Sequence, residues 1–122
     1  MKTVILGASD KPERASYQCA ALLTSKGLEF EPVGIKNNQI FGRQILQITE
    51  KPAIKDVHTV TMYMGKKNQL DWYDYILKLN PSRIIFNPGA ENDELHTIAT
   101  ENGIHCENAC SLVLLTTDQY LV

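Results

Sequence analysis

The sequence predicts a three-layer α/β domain built on a doubly wound parallel sheet of about five strands, in the order 3-2-1-4-5, with helices on both faces. Three observations predict it. Strand-like runs alternate with helical patterns along the chain, most connections between them are short, and the first strand ends on Gly7, in a loop that leads into a helix.

The strands expected are Lys2 to Gly7, Leu28 to Val33, Val57 to Tyr63, Ser82 to Asn87 and Gly103 to Cys106. Each is short and rich in β-branched or apolar residues, or sits between turn signals. The first helix is expected over Ala15 to Lys26, where Cys19, Ala20, Leu22 and Leu23 fall at helical spacing, with Ser16 as an N-cap and Gly27 as the stop. Gln69 to Leu79 and Glu91 to Asn102 read as amphipathic helices covering the sheet. Gly34 to Lys55 lacks periodicity and is expected to be a long loop with one short helix near Gln47 to Lys51. Ser111 to Thr117 fits a last short helix or an edge strand equally well.

With 122 residues, 43% of them hydrophobic, the chain is long enough for one domain over 1–122 that buries a sizeable core. Its 12 basic and 14 acidic residues are balanced, and no basic run exceeds Lys66-Lys67, so no nucleic-acid or membrane footprint is present. The chain opens directly on a strand and carries no apolar segment of spanning length, which makes a cytoplasmic location the expectation. Cys19, Cys106 and Cys110 form an odd set without a C-x-x-C and read as reduced thiols.

The first loop carries the most chemistry. A dinucleotide loop uses G-x-G-x-x-G to bring backbone N–H groups against a pyrophosphate, but after Gly7 the next glycine is Gly27. Ser9, Lys11, Arg14, Ser16 and Tyr17 occupy the loop instead. Lys11 and Arg14 can each contribute about 1.5–3 kcal/mol to a desolvated phosphate, and the start of the first helix adds roughly 0.3–1 kcal/mol. An NAD site places an acid after the second strand; here Lys36 stands in that region and suits a ribose phosphate, as in NADP or coenzyme A.

Two blocks carry a family resemblance. Gly7, Ala8, Ser9, Pro12, Arg14, Ser16 and Tyr17 fill the pattern G-A-S-x-x-P-x-R-x-S-Y, and Pro32, Val33, Lys36, Ile40 and Gly42 align with P-V-N-P-K-x-x-x-I-x-G. Gly89 and Asn92 match a later G-x-x-N, and Cys110 falls near a cysteine common at the end of these domains. The sequence thereby resembles the small stand-alone CoA-binding proteins, which are similar to the CoA-binding Rossmann-like domain of succinyl-CoA ligase alpha subunits. The resemblance implies that Gly7 to Ser9 and Arg14 approach the phosphates of CoA or an acyl-CoA. It also implies that Lys36 lies near the adenosine 3′-phosphate, and that Tyr63, Met64 and Gly65 border the adenine or the pantetheine. Gly34-Ile35 stands where the family has Asn-Pro, and Met64-Gly65 where arginines are common.

The rest of the chain offers no competing chemistry. His58, His96 and His105 lack paired metal spacing, so no metal site is expected, and the acids at Asp71, Asp74, Glu91, Asp93 and Glu94 read as helix starts and solvent faces. Trp72, Tyr73 and Tyr75 on one helix offer an aromatic surface for a homodimer. No nucleophile or acid/base constellation is legible, and the phosphohistidine and nucleotide-grasping modules of the ligases have no room in this length. The leading reading is non-catalytic binding of CoA or an acyl-CoA. The alternatives are a module that binds NADP or NAD for redox or sensing, and an interaction domain that has lost its ligand.

Overall fold

A computed structural model describes residues 1–121. In chain order it contains β1 (Lys2–Leu6), α1 (Ala15–Ser25), β2 (Phe30–Gly34), β3 (Gln39–Ile40), β4 (Arg43–Gln44), β5 (Leu46–Gln47), β6 (Val57–Met62), α2 (Lys66–Gln69), α3 (Tyr73–Lys78), β7 (Arg83–Phe86), α4 (Asp93–Glu101), β8 (His105–Asn108) and α5 (Ser111–Thr116). Short 3-10 turns occupy Ile48–Glu50 and Leu70–Trp72.

The main sheet is parallel throughout and has six strands, in the order β5-β2-β1-β6-β7-β8. This corrects the expected count and the expected order 3-2-1-4-5. Val57–Met62, expected beside the second strand, pairs with β1 on its other side, so that Val4 has Glu31 as one neighbour and Val60 as the other. The place beside β2 belongs to β5, which comes from the stretch expected to be loop. Burial explains the difference. Five of the six residues of β6 are buried, so it needs cover on both faces and a strand on each edge, whereas the half-buried β5, only two residues long, suits the rim.

Alternation along the strands builds two cores. Val4, Leu6, Val60, Met62, Ile84 and Phe86 face Ile76, Leu95 and Ala99 of α3 and α4. Ile5 and Ile85 face Cys19, Ala20 and Leu23 of α1 and Leu115 of α5. The second face also carries buried polar groups, most of them hydrogen-bonded. The Arg83 Nε donates to the Thr59 hydroxyl at 3.0 Å, and the Thr3 and Tyr120 hydroxyls lie 2.8 Å apart.

Other expectations are refined. Ser111–Thr116 is a helix. Gln69 to Leu79 is not one helix: α2 begins earlier, and the turn at Leu70–Trp72 separates it from α3. α1 begins at Ala15 with Arg14 in the N-cap position and no side-chain cap, so Ser16 is not the cap; Gly27, at φ +67°, follows its end as expected. The helical aromatics expected as a dimer surface are largely engaged, since Tyr75 is buried with its hydroxyl donating to the Pro52 carbonyl at 2.7 Å and Tyr73 donates to Glu94 at 3.0 Å.

Candidate functional cleft at the carboxyl edge of the sheet

All six strands point their carboxyl ends to one edge, and the loops that leave β1, β2, β5, β6 and β7 meet there around a cleft of about 680 Å³. The first loop is anchored by backbone. The N–H groups of Gly7 and Ala8 both donate to the Val33 carbonyl, at 2.9 and 3.0 Å, and the Tyr63 N–H donates to the Leu6 carbonyl at 2.8 Å. Gly7 has φ +94°, and a β-carbon there would lie 3.0 Å from the Met64 Cγ and backbone nitrogen, so the position demands glycine on two grounds. Gly34 is equally confined, with Ala8 backbone against it.

Side-chain bonds set the remainder of the rim. The Ser9 hydroxyl accepts the Lys11 N–H at 3.1 Å, the Asn38 amide donates to Asp10 at 2.7 Å, and the Gln47 amide donates to the Lys36 carbonyl at 2.9 Å. On the far side, buried Gln69 donates to the carbonyls of Met64 and Ala90, each at 2.8 Å. Asn92 in turn donates to Gln69 at 2.9 Å while its side-chain oxygen caps α4 by accepting the Leu95 N–H at 3.1 Å. Asn92 therefore braces the segment after β6 as well as starting a helix.

Of the residues singled out in the sequence, Gly7, Ala8, Ser9, Lys11, Arg14, Ser16, Lys36, Tyr63 and Met64 line the cleft. Tyr17, Val33 and Gly42 do not. Tyr17 tilts against Phe41, ring centroids 5.0 Å apart, and packs on the α1 face of the sheet. Val33 is buried beneath the loop and contributes through its carbonyl. Gly42, at φ +78° beside Phe41 at φ +48°, turns the β3–β4 hairpin, where a two-residue loop favours positive φ. The motif positions at Tyr17, Val33 and Gly42 thus shape the framework around the cleft.

The cleft also contains residues that the sequence reading missed or assigned elsewhere, including Thr49, Lys67, Asp71, Trp72 and Pro88. Lys67 was visible only as half of a basic pair, and Trp72 only as part of an aromatic helix. Lys67 reaches the site from α2 and Trp72 from the turn at Leu70–Trp72.

Its electrostatics follow from that lining. Lys11 and Arg14 come from the first loop, Lys36 from the loop after β2 and Lys67 from the short helix α2, against Asp71 as the carboxylate in the lining. The first turn of α1 opens on the same space, through Ala15 and Ser16, without a side-chain cap on its N–H groups. Burial pushes the Tyr63 phenol far above its ordinary range, with Cys19 beside it adding to the shift, so its hydroxyl stays protonated. That hydroxyl has no hydrogen-bond partner among the described residues. No histidine or cysteine is among the described residues that line the cleft, and no three His, Cys, Asp or Glu among the described residues gather as a metal site. No helix among the described residues is long and apolar enough to cross a membrane.

Comparison with known proteins agrees with this geometry. An uncharacterised protein of known crystal structure is 47% identical, with a TM-score of 0.93 over 97% of this chain and 96% of that one. A Thermus thermophilus protein matches at 18% identity and TM-score 0.82, covering 97% of this chain and 89% of its own. A hypothetical protein from Pyrococcus horikoshii OT3 matches at 22% and 0.79, over 98% and 83%. These two distant likenesses show the α/β fold. No curated protein matches the sequence. The model of the CoA binding domain matches residues 1–116, nearly the full length, and the chain belongs to that family.

Proposed function

We propose that the protein binds coenzyme A or an acyl-CoA in this cleft and catalyses no reaction on it. The observation that carries the reading is the convergence of Lys11, Arg14 and Lys36 on one cleft that also receives the uncapped start of α1. A ligand with three phosphate groups matches that charge. Glycine at positions 7 and 34 lets the first loop pack backbone to backbone on the ends of β2 and β6, which fixes the loop that carries Lys11 and Arg14.

Strand order supports one direction for the ligand. Lys36 follows β2 and Thr49 follows β5, so they form the nucleotide end, with Lys36 toward the 3′-phosphate. Gly7 to Ser9, Lys11 and Arg14 hold the pyrophosphate at the centre. Met64, Gly65, Trp72 and Pro88, which follow β6 and β7, face the pantetheine arm. Binding without catalysis is supported by the lining itself, in which Asp71 has no histidine, cysteine or second carboxylate to work with.

Lys36 also suits the 2′-phosphate of NADP, which makes NADP the competing ligand. Calorimetric and thermal-shift titrations with CoA, acetyl-CoA, NADP and NAD separate the two. At free CoA a hundredfold above Kd the native state is expected to gain about 2.7 kcal/mol. Absence of both heat and thermal shift at millimolar CoA and acetyl-CoA overturns the proposal, and tighter binding of NADP selects the alternative.

A further inference from the structure

The end of the cleft beyond β1 differs from the end that holds Lys36. Its wall is made by Met64, Trp72 and Pro88. Met64 lies against Gly7, its Cγ 3.0 Å from where a β-carbon on that glycine would stand, so its side chain sits beside the first loop. Trp72 is half-buried and packs in part against the core under α3, with the remainder lining the cleft, and Pro88 is exposed. The charged groups at this end are Lys67 and Asp71, both exposed and opposite in sign, which leaves no net charge to attract an acidic tail.

A free thiol gains little on such a wall, whereas a hydrocarbon group removes apolar surface from water on both sides. Met64 puts an apolar, polarisable thioether into this part of the lining. We propose that the site prefers CoA thioesters of short apolar acyl groups to free CoA, with the acyl group packed on Trp72 and Pro88. The inference rests on the CoA reading above.

Trp72 is the sole tryptophan, so its emission reports on this wall alone. The full chain is titrated with CoA, butyryl-CoA and succinyl-CoA, followed by fluorescence and by calorimetry. Butyryl-CoA is expected to bind at least tenfold more tightly than CoA, a difference of about 1.4 kcal/mol, and to shift the Trp72 emission. Succinyl-CoA, which has the same chain length but ends in a carboxylate, is expected to show no gain. In Met64→Arg and in Trp72→Ala the ratio of CoA to butyryl-CoA dissociation constants is expected to fall to threefold or less. CoA and butyryl-CoA binding within threefold of each other in the unaltered protein overturns the inference while leaving the CoA reading in place, and so does an undiminished ratio in both variants. Failure of all three ligands to bind removes the CoA reading and this inference with it.

Discussion

A β-carbon on Gly34 would stand 2.6 Å from the carbonyl oxygen of Ala8. The first loop and the end of β2 touch backbone to backbone at this point, below any tolerable contact for a side chain. Gly34→Ala is therefore expected to destabilise the protein by about 1–3 kcal/mol, the usual cost of overpacking. CoA affinity should fall as well, because the displaced strand end also carries Val33, whose carbonyl anchors Gly7 and Ala8. Urea denaturation with an unchanged midpoint counts against this account of the loop.

Arg14 and Lys36 are exposed and neither side chain bonds to another described residue. Arg14→Ala and Lys36→Ala are expected to weaken CoA binding by about 1.5–3 kcal/mol each, while leaving the melting temperature within about a degree. The loss should shrink as salt is raised. If calorimetry finds both variants binding as the unaltered protein does, the phosphates lie elsewhere.

Asn87 joins three elements from a buried position. Its amide donates to the Thr61 hydroxyl at 2.8 Å and the Met62 carbonyl at 2.9 Å, and its oxygen accepts the Ser111 N–H at 2.8 Å, at the start of α5. Asn87→Ala leaves buried groups without partners and is expected to cost about 2–3 kcal/mol of stability. Chemical denaturation reads the loss, and a change below about half a kcal/mol would contradict the role assigned here.

Alkaline pH should weaken the fold through buried neutral groups. Desolvation pushes the Cys19 thiol up from 9.0 to about 11 and the Tyr120 phenol from 10.0 to about 12. Because each folded value lies above the unfolded one, the contribution of Cys19 is complete below about pH 9 and is lost as pH rises toward 11. Urea midpoints followed from pH 8 to 11 are expected to fall less steeply for Cys19→Ala than for the unaltered chain. Parallel slopes would show that the thiol is not held neutral by the fold.

Much of the architecture is legible locally. Residues such as Val4, Ile5 and Leu6 declare a buried strand by composition, Gly27 ends a helix by its positive φ, and the loop from Gly7 to Tyr17 carries its cations at readable positions. The segment from Gly34 to Lys55 is not legible in the same way. β3, β4 and β5 have two residues each, too few for a period-two pattern, and β5 exists because the open edge of β2 is there to pair with it. The motif reading also merges two roles. Tyr17, Val33 and Gly42 recur in the same blocks as Arg14 and Lys36, yet serve packing, anchoring and turning.

By itself the sequence determined the α/β class, the principal strands and helices, and the cationic first loop with Lys36 after the second strand. Each of these depends on residues close together in the chain, through periodicity, turn chemistry or side-chain charge. Only the tertiary structure decided that β6 lies beside β1, that a two-residue strand completes the edge, and that Lys67 and Trp72 join the site. Those outcomes depend on which faces and edges remain to be covered once the other elements have packed, a global condition that no local stretch of sequence contains.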